Sequence, residues 1–508
     1  MSTRKPITAS QITALNELLE KLPTPHNLIT PSSPDYRKTI QRWSSAAEKP
    51  AGASLIPESV AAISTAVAYA TSEGLDLAVR GGGHSTAGAS STDGGLLIDL
   101  GSSKKFTEVD VDTATQRLAV GGGAVWGQVD QAGFKAGLAT VGGTVADTGV
   151  GGLTLGGGYG WLSGKLGLTI DQLVSVTLVL ASGAVVVASK EENPDLFWGL
   201  RGAGQNFGVA VMFVLQGHPF GSGPVEKRIG GADGGQAYVG MLMWPPQKLA
   251  EVIAACNKIY RRDNSLDANG AGSIAFARPP PARGQLLVIK QIIWLGDKAS
   301  GDEAYKDLLD LDPVMNTMAM VDYPTMNSFM GIPYGLRVSM KGAAFNLPIS
   351  VTFAQQVLDQ YAKFTEEVND AAGSMLLFEL YDPSKVVASA SNTDMAFGNR
   401  GYHFNAMVGP MWTQAENDDR CRQWARDMAA LFKEQLKKDG EVVSKGNEYP
   451  TKKSDVGAVM MYGNYDQYDE NSNDVFGANY DRLQRLKAQY DPTNTFYKLF
   501  GIKPLALP

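Results

Sequence analysis

The sequence predicts an α+β protein of two intertwined domains, and three observations carry that reading. At 508 residues the chain is longer than one small core needs. From about 77 to 216, short apolar and β-branched runs alternate with glycines (LAVRGGGHS, GGLLIDL, QRLAVGGGAVW, then VSVTLVLASGAVVVAS and NFGVAVMFVLQ), the mark of many short strands joined by tight turns. After GHPFGSGPVEKRIGGADGGQ, residues 217–236, which reads as a boundary loop, patterns of more ordinary length suggest a sheet with helices packed on it.

Each element follows from its spacing. Ile12, Leu15, Leu19 and Leu22 predict an amphipathic helix over 10–22, and Val60, Ile63, Val67 and Ala70 predict a second after Pro57. Strands are expected at 271–277, 286–295, 374–381 and 402–409, with RPPPARG at 278–284 as the turn between the first two. Helices are expected over 354–369 and 418–436, the latter with Trp424, Met428, Leu431 and Phe432 on one face. A last helix carries Tyr480, Leu483, Leu486 and Tyr490 in phase and stops at Asp491-Pro492. No repeat of 20–50 residues is visible.

Composition narrows the function. With 44% apolar and 19% charged residues, the chain can bury a large core. A net charge of −7 without a dense basic cluster argues against nucleic acid or anionic membranes as partners. No signal-peptide core and no uninterrupted apolar run of membrane length are present. Cys256 and Cys421 are the only cysteines and no Asn-x-Ser/Thr occurs, so an intracellular location is favoured. Scattered His26, His84, His218 and His403, with no CxxC, give a metal site little support.

The only match to a dinucleotide-binding GxGxxG/A pattern is Gly270-Ala-Gly272-Ser-Ile-Ala275, and the prolines that soon follow it cannot continue a helix, so that match is set aside. Residues 80–85, RGGGHS, are different. Successive peptide N–H groups free of side chains can form an anion-binding nest, with Arg80 and Ser85 nearby, although a tight turn would use the same glycines. Gly142-Gly143-Thr144 and Gly156-Gly157-Gly158-Tyr159-Gly160 add further close-approach backbone, which suits a long flat ligand held by main chain.

Taken together, RGGGHSTAG, GGLLIDL, VGGGAVWGQV, GGTVADTGVGGLTLGGGYGWLSGKLGLTIDQLVSVTLVLASG, ENPDLFWGLRGAGQNFGV and NYDRLQRLKAQYDPTNTF resemble the flavin-linked oxidases of the vanillyl-alcohol oxidase superfamily, and within it the berberine bridge enzyme-like group. The resemblance is weakest from about 225 to 370. It implies a PCMH-type, two-subdomain FAD-binding domain over 1–222 (core about 50–220), a substrate domain over 223–462 with a large antiparallel sheet covered by helices on one face, and a segment 463–508 returning to the first domain. It also implies that His84 bonds covalently to FAD, with Arg80, Gly81, Gly82, Gly83 and Ser85 as the phosphate loop. Gly142, Gly143, Thr144, Val145, Thr148, Gly149, Gly152, Gly157, Gly158, Tyr159 and Gly160 are the further cofactor contacts.

This chain departs from the family at two places. Many relatives carry a second flavin link through a cysteine where this chain has Val145, so the attachment is expected through His84 alone. Relatives often read F-R-x-N-Q-x-I near the C-terminus, whereas Leu499 stands here in place of the asparagine. Thr148 occupies a position where a small side chain favours oxygen access in similar proteins.

For catalysis the family points to Tyr465, in Tyr462-Gly463-Asn464-Tyr465, as the base. Because a phenol titrates near pH 10, Tyr465 would need a neighbouring cation or strong hydrogen bonds. Glu379 is the second candidate: Leu377, Glu379 and Tyr381 alternate onto one face of a strand. Tyr402 and Trp412 are pocket or core aromatics. The resulting expectation is a monomeric FAD-dependent oxidase of a hydroxylated small molecule, using O2 and releasing H2O2. A dehydrogenase with another acceptor, or a flavin-carrying binding protein, are the alternatives.

Overall fold

The computed structural model describes residues 4–221, 228–231, 234–260, 268–279, 284–329, 331–444, 461–465 and 471–506, with side chains described as far as 440 in the helix ending at 444. Near the N-terminus a four-stranded sheet runs in the order His26–Ile29, Ala53–Pro57, Leu96–Asp99, Leu77–Arg80. Helices Ala9–Leu19 and Val60–Ser72 cover it, packing Leu15, Leu19, Ile63 and Val67 against Leu55, Leu77 and Ile98. Each helix begins where its sequence offers a cap: Gln11 N–H donates to the Thr8 hydroxyl, and Ala62 N–H to that of Ser59.

Next comes a five-stranded antiparallel sheet in the order Val109–Asp112, Arg117–Gly121, Gly208–Gln216, Leu173–Leu180, Val185–Ser189. Its core takes in helix Pro194–Ala203 and the C-terminal helix Tyr480–Tyr490, through Leu196, Leu200, Leu483 and Leu486. The C-terminal stretch is tied down by a buried charge. Lys487 Nζ donates to the Asn206 carbonyl at 2.6 Å and to Asp491 Oδ2 at 2.7 Å, and Asp491 accepts from Thr495 N–H and Phe496 N–H. Desolvation pushes the Lys487 ammonium down to about 8, with Asp491 opposing that shift.

An eight-stranded antiparallel sheet dominates the rest, ordered Met315–Asn316, Gln236–Trp244, Leu287–Trp294, Gly270–Ala277, Met375–Leu380, Phe404–Gly409, Lys341–Phe345, with Ala319–Asp322 also paired to Gln236–Trp244. One face packs Trp244, Ile274, Phe276, Phe378 and Phe404 beneath helices Leu249–Ile259, Val351–Glu367 and Asp418–Ser444. The anticipated α+β architecture, with a large antiparallel sheet covered by helices on one face, is therefore present. Gly270-Ala-Gly272-Ser-Ile-Ala275 is part of a strand, consistent with setting the nucleotide motif aside.

Several details differ from the sequence reading. The helix begun at 418 runs on to Ser444, and the unanticipated strand Gln236–Trp244 starts where the boundary loop was placed. The turn expected at 278–284 falls partly outside the described residues. Trp412 is buried in the helix-facing core and donates its indole N–H to Asp418, so it is a packing residue. Both cysteines are buried and free, as incidental thiols would be. Among the described residues no helix is long and apolar enough to cross a membrane, and no cluster of three or more His, Cys, Asp or Glu could hold a metal.

Buried ion pairs hold the chain both across long distances and locally. Fully buried Arg400 reaches Asp171 at 2.6 Å, linking the strand-rich N-terminal half to the loop after 390. Breaking a buried pair by removing one member costs about 3–5 kcal/mol. Lys487→Met is therefore expected to lower unfolding stability by roughly that amount, measured by guanidinium denaturation, because Asp491 stays buried without its counter-charge.

Candidate active site and cofactor cavity

The site begins where strand Leu77–Arg80 runs into Gly81-Gly82-Gly83-His84-Ser85. A Cβ on Gly82 would sit 2.4 Å from the Gly149 nitrogen, and one on Gly149 would sit 2.5 Å from the Gly82 nitrogen. Two backbone segments touch there with no room for any side chain between them. Gly83 adopts φ +73°, a conformation that glycine takes without strain.

Beside this contact opens a cavity of about 340 Å³, within the range of small-molecule and cofactor sites. Its floor is made by Gly81, Gly82, Gly83, His84 and Ser85, by Thr144, Val145, Thr148, Gly149 and Gly152, and by Gly122 and Gly208. Gly152 has nothing within 4 Å of where a Cβ would project, so its bare backbone faces open space. The opposite wall comes from the large sheet, through Met375, Leu377, Glu379 and Met407. Tyr159, Tyr462, Asn464 and Tyr465 close the space between, and Phe496, Tyr497, Lys498 and Leu499 line another part of the wall.

His84 lies in this wall with its ring stacked on Trp43, centroids 4.9 Å apart and planes 12° from parallel, and Tyr334 edge-on at 6.4 Å. Its Nε2 is buried without a hydrogen bond, and Asp147 Oδ2 is the nearby acid oxygen, at 3.4 Å. Trp43 was not legible as a site residue, because RWSSA carries no motif and its role depends on a stack formed across 41 positions.

Not every glycine marked in the sequence reaches the cavity. Gly142 and Gly143 lie against the Trp126 ring, Gly157 against Phe397, Gly158 against Thr169, and Gly160 against the Gly142 carbonyl. Protein packing explains the missing side chain at all five. Arg80 is turned toward Asp99 Oδ2, 2.8 Å away, and Ser102. The main chain of the loop, with Ser85, is what borders the cavity. Neither Tyr402 nor Trp412 is part of the cavity wall.

The reactive groups meet at the sheet. Tyr465 Oη donates to Glu379 Oε1 at 2.8 Å, while Glu379 Oε2 carries no hydrogen bond. Burial pushes the Glu379 carboxyl up to about 7, with hydrogen bonds from Tyr465 and Tyr381 opposing the shift. Burial, followed by the neighbouring Glu379 carboxylate, holds the Tyr465 phenol well above its ordinary value. Of the cation or strong hydrogen bonds expected beside Tyr465, the described residues supply the hydrogen bond, to a carboxylate, so the phenol stays neutral and acts as a donor.

The supporting shell is ordered by aromatic contacts. The Tyr462 ring lies 4.8 Å from Tyr465 and 5.0 Å from Tyr159, both edge-on. Asn464 Nδ2 donates to the Tyr462 hydroxyl at 2.9 Å and to the Leu153 carbonyl, and Tyr159 Oη donates to Asn399 Oδ1 at 2.8 Å. Tyr381, expected on the Glu379 face, is buried just past the strand end against Tyr159 and Trp161.

The cavity fits FAD in its donor set and shape. A side-chain-free backbone loop suits a pyrophosphate, a cavity lined by glycine backbone suits a flat ring system, and the His84 nitrogen that makes no hydrogen bond is available to it. The family model for an FAD binding domain matches residues 51–189, and the model described as berberine and berberine like matches 461–503. An FAD-linked oxidoreductase, pgmH, of Aspergillus terreus is 29% identical over 93% of this chain and 92% of its own length. The (R)-6-hydroxynicotine oxidase of Paenarthrobacter nicotinovorans is 41% identical over 154 residues, 30% of this chain and 33% of that protein. Among solved structures, Physcomitrella patens BBE-like 1 superposes with a TM-score of 0.77 at 20% identity, covering 97% of this chain and 100% of that one. The two matched segments, 51–189 and 461–503, contribute the glycine floor and the Tyr465 wall of one cavity, and the chain carries the FAD binding and berberine-like domains of an FAD-linked oxidoreductase.

Proposed function

We propose that the protein is an oxidase of a hydroxylated small molecule that holds FAD covalently through His84 and passes the electrons to O2, releasing H2O2. The observation that carries this reading is the Tyr465–Glu379 hydrogen bond in the cavity wall, with a carboxyl whose pKa is near 7. Bound FAD supplies the two-electron acceptor for the hydride that leaves the carbinol carbon. Tyr465 takes the hydroxyl proton of the substrate as it hands its own to Glu379, so the phenol never has to exist as a free phenolate. The balance is alcohol plus O2 giving carbonyl compound plus H2O2.

Two features support the cofactor half. His84 Nε2 is buried, free of hydrogen bonds and held against Trp43, while Val145 offers no thiol for a second link. Thr148 in the same wall is small, as oxygen access requires. Relatives and neighbours named as hydroxynicotine oxidase and chitooligosaccharide oxidase favour oxygen as the acceptor.

His84→Ala is expected to release its yellow colour on acid precipitation, whereas the parent keeps it in the pellet; a parent that loses its flavin there refutes the covalent link. The base form of Glu379 is its carboxylate, whose fraction grows as pH rises through about 7. Anaerobic flavin reduction should therefore speed up across that window and level off above it, and in Glu379→Gln the inflection should vanish. Tyr465→Phe should slow reduction by about 10²–10⁴-fold, the usual range for a positioned acid–base group. A phenylalanine variant as fast as the parent overturns the relay.

A further inference from the structure

The large sheet has two chemically different faces, and register assigns every residue to one of them. Leu377 pairs with Met407 and with Ala275, which pairs with Ile289, which in turn pairs with Met243, opposite Met315. Directly paired residues share a face, so these lie with Glu379 on the side away from the helices. Along this face the chemistry splits. One end holds Ser273, Gln291 and Glu379, with Met241 opposite Gln291, and the other is an apolar surface in which Met243, Met315, Met375 and Met407 surround Ala275, Ile289 and Leu377. Met375, Leu377 and Met407 also line the cofactor cavity, so this surface continues directly from the reacting pair, and Met340 adds to the same wall.

Several polar groups near the reacting pair are engaged with one another, while Glu379 Oε2, Gln205 Oε1 in the cavity wall and the amide nitrogen of Asn399 carry no hydrogen bond. Tyr159 donates to Asn399, Asn464 donates to Tyr462 and Leu153, and Ser273 donates to Gln291. A polyhydroxylated ligand lying on the methionine surface would leave its hydroxyls without partners. An anion would meet the Glu379 carboxylate, while Lys498, the lysine of the wall, is paired with Asp76 at 2.7 Å. Methionine offers the opposite: a polarizable, adaptable surface that packs well against aromatic rings.

Resting on the oxidase reading, we propose that the substrate is an uncharged alcohol with a flat, apolar body, whose hydroxyl reaches Tyr465 while the body lies across Met375, Leu377 and Met407. Sugars and charged compounds are disfavoured by the same surface.

The test uses the flavin-loaded protein and unreactive probes, so that binding is read apart from turnover. The methyl ether of 2-naphthylmethanol and methyl cellobioside are titrated by calorimetry. The ether should bind at least about tenfold more tightly, the discrimination that a well-matched apolar surface provides. Met375→Gln/Met407→Gln should weaken ether binding by about tenfold, and the leucine pair at the same positions should stay within about twofold of the parent, because volume and apolarity are kept. Equal or tighter binding of the cellobioside by the parent overturns the proposal. So does unchanged ether affinity in the glutamine pair, its melting temperature and flavin absorbance showing it folded and loaded. Should the glutamine pair not fold, the comparison on the parent decides alone. Oxidation of a sugar without ether binding sinks this inference and leaves the oxidase reading standing. Ether binding with no flavin reduction by 2-naphthylmethanol does the reverse.

Discussion

Everything at the centre of this molecule depends on two bare stretches of main chain meeting at Gly82 and Gly149, where neither position has space for even a methyl group. That contact sets the loop after strand Leu77–Arg80 directly against the segment 145–152. It thereby brings His84, Val145, Thr148 and Gly152 into one wall. Successive peptide groups free of side chains are the kind of main chain that can cradle a diphosphate. The imidazole beside it is then fixed by stacking on Trp43, which orients the ring without occupying Nε2.

The second wall is set by electrostatics as well as by packing. A carboxyl among apolar neighbours is costly to ionise, and Glu379 remains titratable near neutrality because Tyr465 hydrogen-bonds to it. A tyrosine beside a carboxylate cannot readily lose its own proton, which is why the proposed transfer passes through Tyr465 to Glu379 rather than stopping on the phenol. Tyr465 is held through Tyr462, whose ring meets it edge-on and is itself braced by the distant Tyr159 ring and by the Asn464 amide. Nearby, the buried Arg400–Asp171 pair fastens the halves that supply these residues.

Much of this was legible in the residues, and the exceptions share a cause. Helices Ala9–Leu19 and Val60–Ser72 could be read because a cap and an apolar stripe are local signals. His84, Glu379 and Tyr465 could be read because motif and alternation place them. Strand Gln236–Trp244 was obscured by the glycines just before it, since QAYVGMLMW is apolar at nearly every position and shows no alternation. Gly142, Gly143, Gly157, Gly158 and Gly160 were visible as glycines, but whether a missing side chain makes room for a ligand or for Trp126 and Phe397 is decided only by what lies across the gap. Trp43 belongs to no local pattern, and Met375 and Met407, though inside expected strands, gain their importance from neighbours remote in sequence.

The alternation of the large sheet has an evolutionary consequence. Residues such as Ile274, Phe276, Phe378 and Ala406 anchor the helices, while their immediate sequence neighbours Ala275, Leu377 and Met407 look the other way. Structural robustness and ligand preference are thus written on interleaved positions of the same strands. Drift at one set of positions can retune what the protein accepts while the other keeps the scaffold intact, a partition that suits a lineage diversifying its chemistry.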